Sequence, residues 1–168
     1  MRKKGIMRAA AAMLGTAAIV TSLSACGSDT VTGQSGMLDY AKEYYRNEDL
    51  ELGSTYYDKS QTLTWLSKDY GFYYRCEAMT FQNKPDDKYD FVRSESVTTE
   101  GSGLYAVHWH KGIAVYVMNP KCKQVYFAGP ENAFTINITN VPYTSYYPIT
   151  SSGEYYVYFY DQNGKKMN

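Results

Sequence analysis

The sequence contains little cysteine, with only Cys26, Cys76 and Cys122 among 168 residues. So few cysteines exclude a small scaffold that is held together by several disulfides. Cys76 and Cys122 also lack the Gly-rich turn or nearby helix start that would lower the pKa of a thiol. The composition therefore argues against a cysteine nucleophile.

Recognisable catalytic motifs are missing as well. The chain has no Gly-x-Ser-x-Gly elbow, phosphate-binding loop, dinucleotide fingerprint or His-Glu-x-x-His sequence. His108 and His110 are its two histidines, and thus its usual candidates for a base at neutral pH. A hydrolase that uses a pair of carboxylates needs no such motif, so a small extracytoplasmic hydrolase stays an alternative. The sequence favours a protein that is not an enzyme.

The N-terminal segment has the composition of a secretory signal peptide. Four basic residues within the first eight precede an apolar run over residues 9–23. A basic start, a short apolar core and small residues at the cleavage site are typical of such signals. The run has about fifteen residues, whereas a membrane-spanning helix needs about 20. The segment predicts export, and an uncleaved membrane helix is the disfavoured alternative.

The apolar run ends in Leu23-Ser24-Ala25-Cys26, which resembles the lipobox of bacterial lipoproteins. In that class the signal peptide, here residues 1–25, is removed, and the cysteine, here Cys26, carries the lipid. The resemblance implies a chain that is anchored by lipid to the cell membrane on its extracytoplasmic face. The alternative is an ordinary cleaved signal peptide in which Cys26 has no role.

The charge balance changes when the signal peptide is set aside. Residues 1–25 contain four of the 17 basic residues and none of the 17 acidic ones, so the mature 143 residues carry a formal charge of −4. A mildly acidic domain has no electrostatic footprint for nucleic acid or anionic lipid, and we exclude both as partners.

Composition divides the mature chain into a short tether and one domain. Residues 26–36 are small, polar and rich in Gly and Ser, which predicts a flexible tether. Residues 37–50 have an apolar period typical of a helix, in which Leu38, Ala41 and Tyr45 share one side. After Gly53 the pattern is one of short strands, among them a β-branched run over residues 113–118 that predicts a central strand.

These elements predict an α+β fold that is mostly β. We expect about seven to nine short antiparallel strands and one N-terminal helix in a single domain, residues 37–168. The sheet either curls around the helix or folds as a sandwich. The Tyr-rich stretch between Pro142 and Pro148 is expected to be an irregular loop.

Cys76 and Cys122 are the two thiols that remain once Cys26 is assigned to lipid. Alternation along a predicted strand places Cys76 on an apolar face with Phe72, Tyr74 and Ala78. In an exported domain a disulfide between Cys76 and Cys122 is the favoured prediction, and two free, buried thiols are the alternative.

His108-Trp109-His110 places two imidazoles on the same face of a predicted strand. Such a pair can bind one zinc or copper ion if a neighbouring strand supplies a third ligand, for which Glu95, Glu100 and Met118 are candidates. The alternative is that Trp109 faces the core and both histidines face solvent.

Tyrosine is the most distinctive part of the composition, with 19 residues against 6 Phe and 2 Trp. Binding surfaces use tyrosine because it offers rigid, amphipathic contact area at low entropic cost. In the last long strand, Tyr156, Tyr158 and Tyr160 alternate with inward-facing residues and form a strip at intervals of about 6.6 Å. The alternative is that the helix covers this strip and makes it part of the core.

Together these observations predict a non-catalytic binding domain on a surface-anchored lipoprotein. Its partner would be an exported protein, for example a toxin against which it gives immunity, or a glycan. Two alternatives stay open: a metal-binding lipoprotein that uses His108 and His110, and the hydrolase. No cofactor is expected unless zinc binds the two histidines.

Overall fold

A computed structural model describes residues 29–97, 101–150 and 152–167, which form one helix and twelve strands. The elements in chain order are β1 (Thr30–Thr32), α1 (Gly33–Tyr45), β2 (Glu51–Tyr57), β3 (Gln61–Asp69), β4 (Tyr74–Lys84), β5 (Lys88–Glu95), β6 (Leu104–Trp109), β7 (Gly112–Val117), β8 (Cys122–Ala128), β9 (Ala133–Asn137), β10 (Tyr143–Pro148), β11 (Tyr156–Asp161) and β12 (Lys166–Met167).

The strands form three antiparallel sheets. A five-stranded sheet has the order β1-β5-β4-β3-β2, a three-stranded sheet the order β10-β7-β6, and a four-stranded sheet the order β12-β11-β8-β9. The fold is therefore α+β and mostly β with a single N-terminal helix, as the sequence predicts. The structure has more strands than the seven to nine predicted, because β1 and β12 are very short and β2 and β10 were not expected.

The five-stranded and three-stranded sheets pack face to face through large aromatic side chains. Trp65 of β3 stacks on Tyr116 of β7, with ring centres 5.4 Å apart and planes at 17°. Tyr105 and Trp109 of β6 are fully buried in the same cluster. Burial of such large rings is the main source of stability at this interface.

The opposite face of the three-stranded sheet packs against the four-stranded sheet. Val115 and Val117 of β7 contact a cluster that includes Val125 and Phe127 of β8. Every residue of β7 is buried, because this strand is covered on both faces. A continuous apolar run suits such a strand, so the prediction of a central strand is confirmed.

The helix lies on the outer face of the five-stranded sheet. Met37 and Ala41 are fully buried against a cluster that contains Met79 and Phe81 of β4. The layers therefore follow the order helix, five-stranded sheet, three-stranded sheet, four-stranded sheet. The sheets stack as in the predicted sandwich, but with three layers rather than two, and the helix is at one end of the stack.

Two local predictions were wrong. The helix begins at Gly33 and ends at Tyr45, where Arg46 adopts a left-handed conformation (φ 51°), so residues 30–36 belong to the fold and not to a tether. The stretch between Pro142 and Pro148 is not a loop, because β10 pairs along the whole of β7. Backbone pairing with a distant buried strand decides the conformation of this segment.

The predicted signal peptide and Cys26 lie outside the described residues. In the part of the chain that the structure describes, no helix combines the length and the apolar character needed to cross a membrane.

Candidate functional site

The predicted strip of tyrosines lies on β11, which is paired with β8 on one side and β12 on the other. Phe159 points into the core and is buried, whereas Tyr156 is 47% exposed. Tyr158 and Tyr160 are half-buried. The helix packs on the far side of the molecule, so it does not cover the strip.

The tyrosine rings of this sheet stack on one another. The ring centre of Tyr158 lies 6.2 Å from that of Tyr156, with planes at 8°, and 6.2 Å from that of Tyr126 on β8, with planes at 18°. The Nζ atom of Lys166 lies over the Tyr158 ring, 4.1 Å from its centre. We call Tyr126, Tyr156, Tyr158 and Tyr160 the tyrosine face.

Neutral polar groups lie beside these rings. Gln124 Nε2 donates to Asn137 Oδ1 at 3.2 Å, and Gln124 is the cross-strand partner of Tyr160. Thr135 is the cross-strand partner of Tyr126, and it lines a shallow depression together with Gln124 and Tyr160. The four-stranded sheet thus presents both ring edges and hydrogen-bonding groups to solvent.

An open groove of about 430 Å³ runs along the end of the tyrosine face. Its lining includes Tyr156, Tyr158, Lys166 and, on β6, His108. The Tyr156 hydroxyl donates a hydrogen bond to the Glu154 carboxylate. This hydrogen bond raises the pKa of the Tyr156 hydroxyl above its usual value.

The two histidines have different surroundings. β6 ends at Trp109, and His110 follows it in a left-handed conformation (φ 48°), so strand alternation does not apply to this residue. His110 Nε2 lies 3.7 Å from Asp58 Oδ2, whereas His108 lines the groove. Among the described residues, no group of three or more His, Cys, Asp or Glu side chains is placed to hold a metal ion.

The predicted disulfide between Cys76 and Cys122 is not formed. Both cysteines are free and buried, and they belong to different clusters on opposite sides of the three-stranded sheet. Burial raises the pKa of both thiols, most strongly that of Cys76. Each therefore acts as a small apolar core residue with a protonated sulfur.

Sequence reasoning missed Tyr126. Nothing in the local pattern of β8 connects this residue to the last long strand, since the two meet only through the register that pairs Tyr126 with Tyr158. The available signal was weaker: Tyr126 alternates with the buried residues Val125 and Phe127, which predicts an outward direction.

The chain matches no protein-family model, no curated protein and no solved structure.

Proposed function

We propose that this chain is a surface-anchored, non-catalytic lipoprotein whose tyrosine face binds another exported protein. In this proposal Cys26 carries the lipid and holds the domain on the extracytoplasmic side of the membrane. An exported toxin against which the domain gives immunity is one such partner. The observation that carries the proposal is the stack of Tyr126, Tyr158 and Tyr156 on the outermost sheet, on the face that the helix and the other two sheets do not cover.

The way the rings stack favours a protein as the partner. A sugar binds an aromatic side chain by lying flat on an open ring face, but the Tyr158 ring has Lys166 over one face and stacked tyrosines beside it. The tyrosine face presents ring edges and hydroxyl groups to solvent. These groups suit a packed contact with the backbone and side chains of a protein. Tyrosine is also among the residues that contribute most at protein interfaces.

A glycan is the second candidate, and one observation favours it. Gln124, Asn137 and Thr135 place amide and hydroxyl groups beside Tyr126 and Tyr160, and such groups hydrogen-bond to sugar hydroxyls. Tyr156, at the end of the row, is the most exposed ring of the four.

Site-specific cross-linking tests the proposal and separates the two candidates. A photoreactive phenylalanine analogue replaces Tyr156 in the full chain on the surface of a bacterial host, and illumination should attach an exported protein to it. The same analogue at Tyr57, which is 48% exposed on a different sheet, is the matched control. Equal protein adducts at both positions, or none at Tyr156, would contradict a protein partner; polysaccharide adducts at Tyr156 alone would favour the glycan.

A further inference from the structure

The tip of the β3–β4 hairpin, residues 70–73, carries the most exposed large apolar side chain among the described residues. Phe72 is 94% exposed, and Tyr70 beside it is 37% exposed. An aromatic ring that is wholly in water is unfavourable, and a free chain would fold it onto its neighbours. In the structure the Phe72 ring nevertheless stays in solvent.

The backbone of the tip is fixed by two hydrogen bonds. The Tyr70 amide donates to the Tyr73 carbonyl at 2.9 Å, and the Gly71 amide donates to Asp69 Oδ1 at 2.6 Å. Gly71 has φ +83°, a left-handed conformation that glycine adopts without strain. The turn therefore has a defined shape, and Phe72 lies at its apex.

The two tyrosines of the tip are held by the body of the domain. The Tyr70 hydroxyl donates to Asp49 Oδ2 at 3.4 Å, and the ring of Tyr73 lies directly over Gly101, where a larger residue would collide with it. Phe72 alone is left without such support. The tip thus combines one exposed apolar ring, Phe72, with two tyrosine rings that contact the rest of the domain.

This arrangement suits a lipid bilayer better than a protein. A stable protein interface covers about 800 Å² on each partner, far more than one phenylalanine provides. At a membrane surface, by contrast, tyrosine rings lie at the level of the headgroups, and an apolar side chain enters the boundary with the acyl chains to a depth of about 5–10 Å.

The charges near the tip indicate which lipids it would contact. Lys68 pairs with Glu51, and Arg75 Nη2 lies 3.0 Å from Glu77 Oε1, so both basic side chains close to the hairpin are already neutralised. Asp49 and Asp69 add negative charge. The contact would therefore depend on insertion of the apolar ring and not on attraction to anionic headgroups.

The path of the chain brings the predicted anchor to the same side. β1 runs antiparallel to β5, with Thr30 opposite Asp90, and Asp90 is opposite Gln82 of β4. β1 therefore begins at its end nearer the hairpin. The four residues from Cys26 to Thr30 span at most about 14 Å. Tyr74, where β4 leaves the tip, is eight residues from Gln82, or about 26 Å along the strand. Along the strand direction the tip therefore extends past the reach of Cys26, on the same side of the sheet.

We infer that the hairpin tip inserts Phe72 into the interface of the bilayer that holds the lipid on Cys26. This inference rests on the lipid anchor in the proposed function, but not on the tyrosine face. The domain then has two attachments to the membrane, and the tyrosine face, on a different sheet, stays free for its partner. The second attachment would limit the orientations of the anchored domain.

Tryptophan fluorescence tests this contact. The full chain with Phe72→Trp is recovered from bacterial membranes and reconstituted into phosphatidylcholine vesicles with ordinary or brominated acyl chains. Trp65 and Trp109 are at most 1% exposed and report no contact with lipid. Brominated lipid should quench the introduced indole, and its emission should move to shorter wavelength. Tyr57→Trp, at the opposite end of the five-stranded sheet, is the control and should not be quenched.

The outcomes separate the tip from the anchor and from the partner site. If the chain sediments with the vesicles but Phe72→Trp is quenched no more than Tyr57→Trp, the tip does not enter the bilayer and the inference is wrong. If the chain does not sediment with them, the anchor is wrong and the inference fails with it. Cross-linking at Tyr156 is measured independently of both results.

Discussion

At the scale of single residues, Thr80 connects side chains across the interface between the five-stranded and three-stranded sheets. Trp109 Nε1 donates to Thr80 Oγ1 at 3.0 Å, and the Thr80 hydroxyl donates to the Glu95 carboxylate. Thr80→Val removes the acceptor and leaves a buried N–H unpaired, which should lower the free energy of unfolding by about 1–3 kcal/mol. Denaturation by urea measures this loss.

Thr64→Val is a matched control for this change. Thr64 is also fully buried, but its hydroxyl contacts the Met37 sulfur, a weak acceptor. The control should lose less stability than Thr80→Val. Equal losses would show that the hydrogen bonds of Thr80 to Trp109 and Glu95 add nothing to the interface.

The two buried cysteines give a second prediction at this scale. Because Cys76 and Cys122 are free, a reducing agent should leave the melting temperature unchanged. Both thiols should react with a thiol reagent only after the protein is unfolded, since burial keeps them protonated and inaccessible. A melting temperature that falls on reduction would instead indicate a disulfide.

At the scale of elements, the β2–β3 turn depends on one carboxylate. Asp58 Oδ1 accepts hydrogen bonds from the amides of Ser60 at 2.7 Å and Gln61 at 3.1 Å, and these bonds, with the nearby His110, lower the pKa of Asp58. A lowered pKa in the folded state means that the carboxylate stabilises the fold above about pH 4, its unfolded pKa. That contribution is lost as the pH falls through the folded pKa.

Asp58→Asn should therefore reduce the dependence of stability on pH below pH 4. The urea midpoint, measured from neutral to strongly acid pH, should change less steeply in the variant than in the wild type. Asp39→Asn, on the exposed side of α1, is the control and should leave the slope unchanged. If the urea midpoint depends on acid pH equally in the wild type and in Asp58→Asn, Asp58 does not contribute to the acid sensitivity of the fold.

The elements that the sequence predicted are those whose pattern is local. The run over residues 113–117 is apolar throughout because both faces are covered, and Tyr156 to Tyr160 alternate because one face is covered. β10 was missed because its conformation comes from pairing with β7, about 30 residues earlier. Tyr126 was missed for the same reason, because the pairing of β8 with β11, which places Tyr126 beside Tyr158, is a long-range contact.

The errors at the helix and the hairpin have another cause. Leu52 continues the apolar spacing of Leu38, Ala41 and Tyr45 in the sequence, so the predicted helix ran to residue 50, although α1 ends at Tyr45. The residues just before Gly33 are mostly polar, yet Val31 packs against the helix cluster and the Gly33 amide donates to the Asp87 carbonyl, which joins this segment to the sheet. Phe72 is apolar but precedes β4, and its exposure comes from the turn and not from strand alternation.

At the scale of the whole molecule, the three-stranded sheet joins two cores. Trp65 and Trp109 lie in the interface with the five-stranded sheet, whereas Val115 lies in the interface with the four-stranded sheet. If the layers unfold together, Val115→Ala should lower stability by about 2 kcal/mol, and tryptophan emission should report the same shift as circular dichroism. If Val115→Ala shifts the unfolding midpoint measured by circular dichroism but not the one measured by tryptophan emission, the two cores unfold separately.

The most direct measurement on the tyrosine face is the affinity of the cross-linked partner, once purified, for variants of the chain. Tyr156→Ala, at an exposed position of the face, should weaken binding at least about tenfold with little change in melting temperature. Truncation of a hot-spot residue costs about 2 kcal/mol or more, and about 1.4 kcal/mol corresponds to a tenfold loss of affinity. Tyr57→Ala, equally exposed on another sheet, should bind like the wild type. Equal affinity for all three proteins would contradict a role for the tyrosine face in binding.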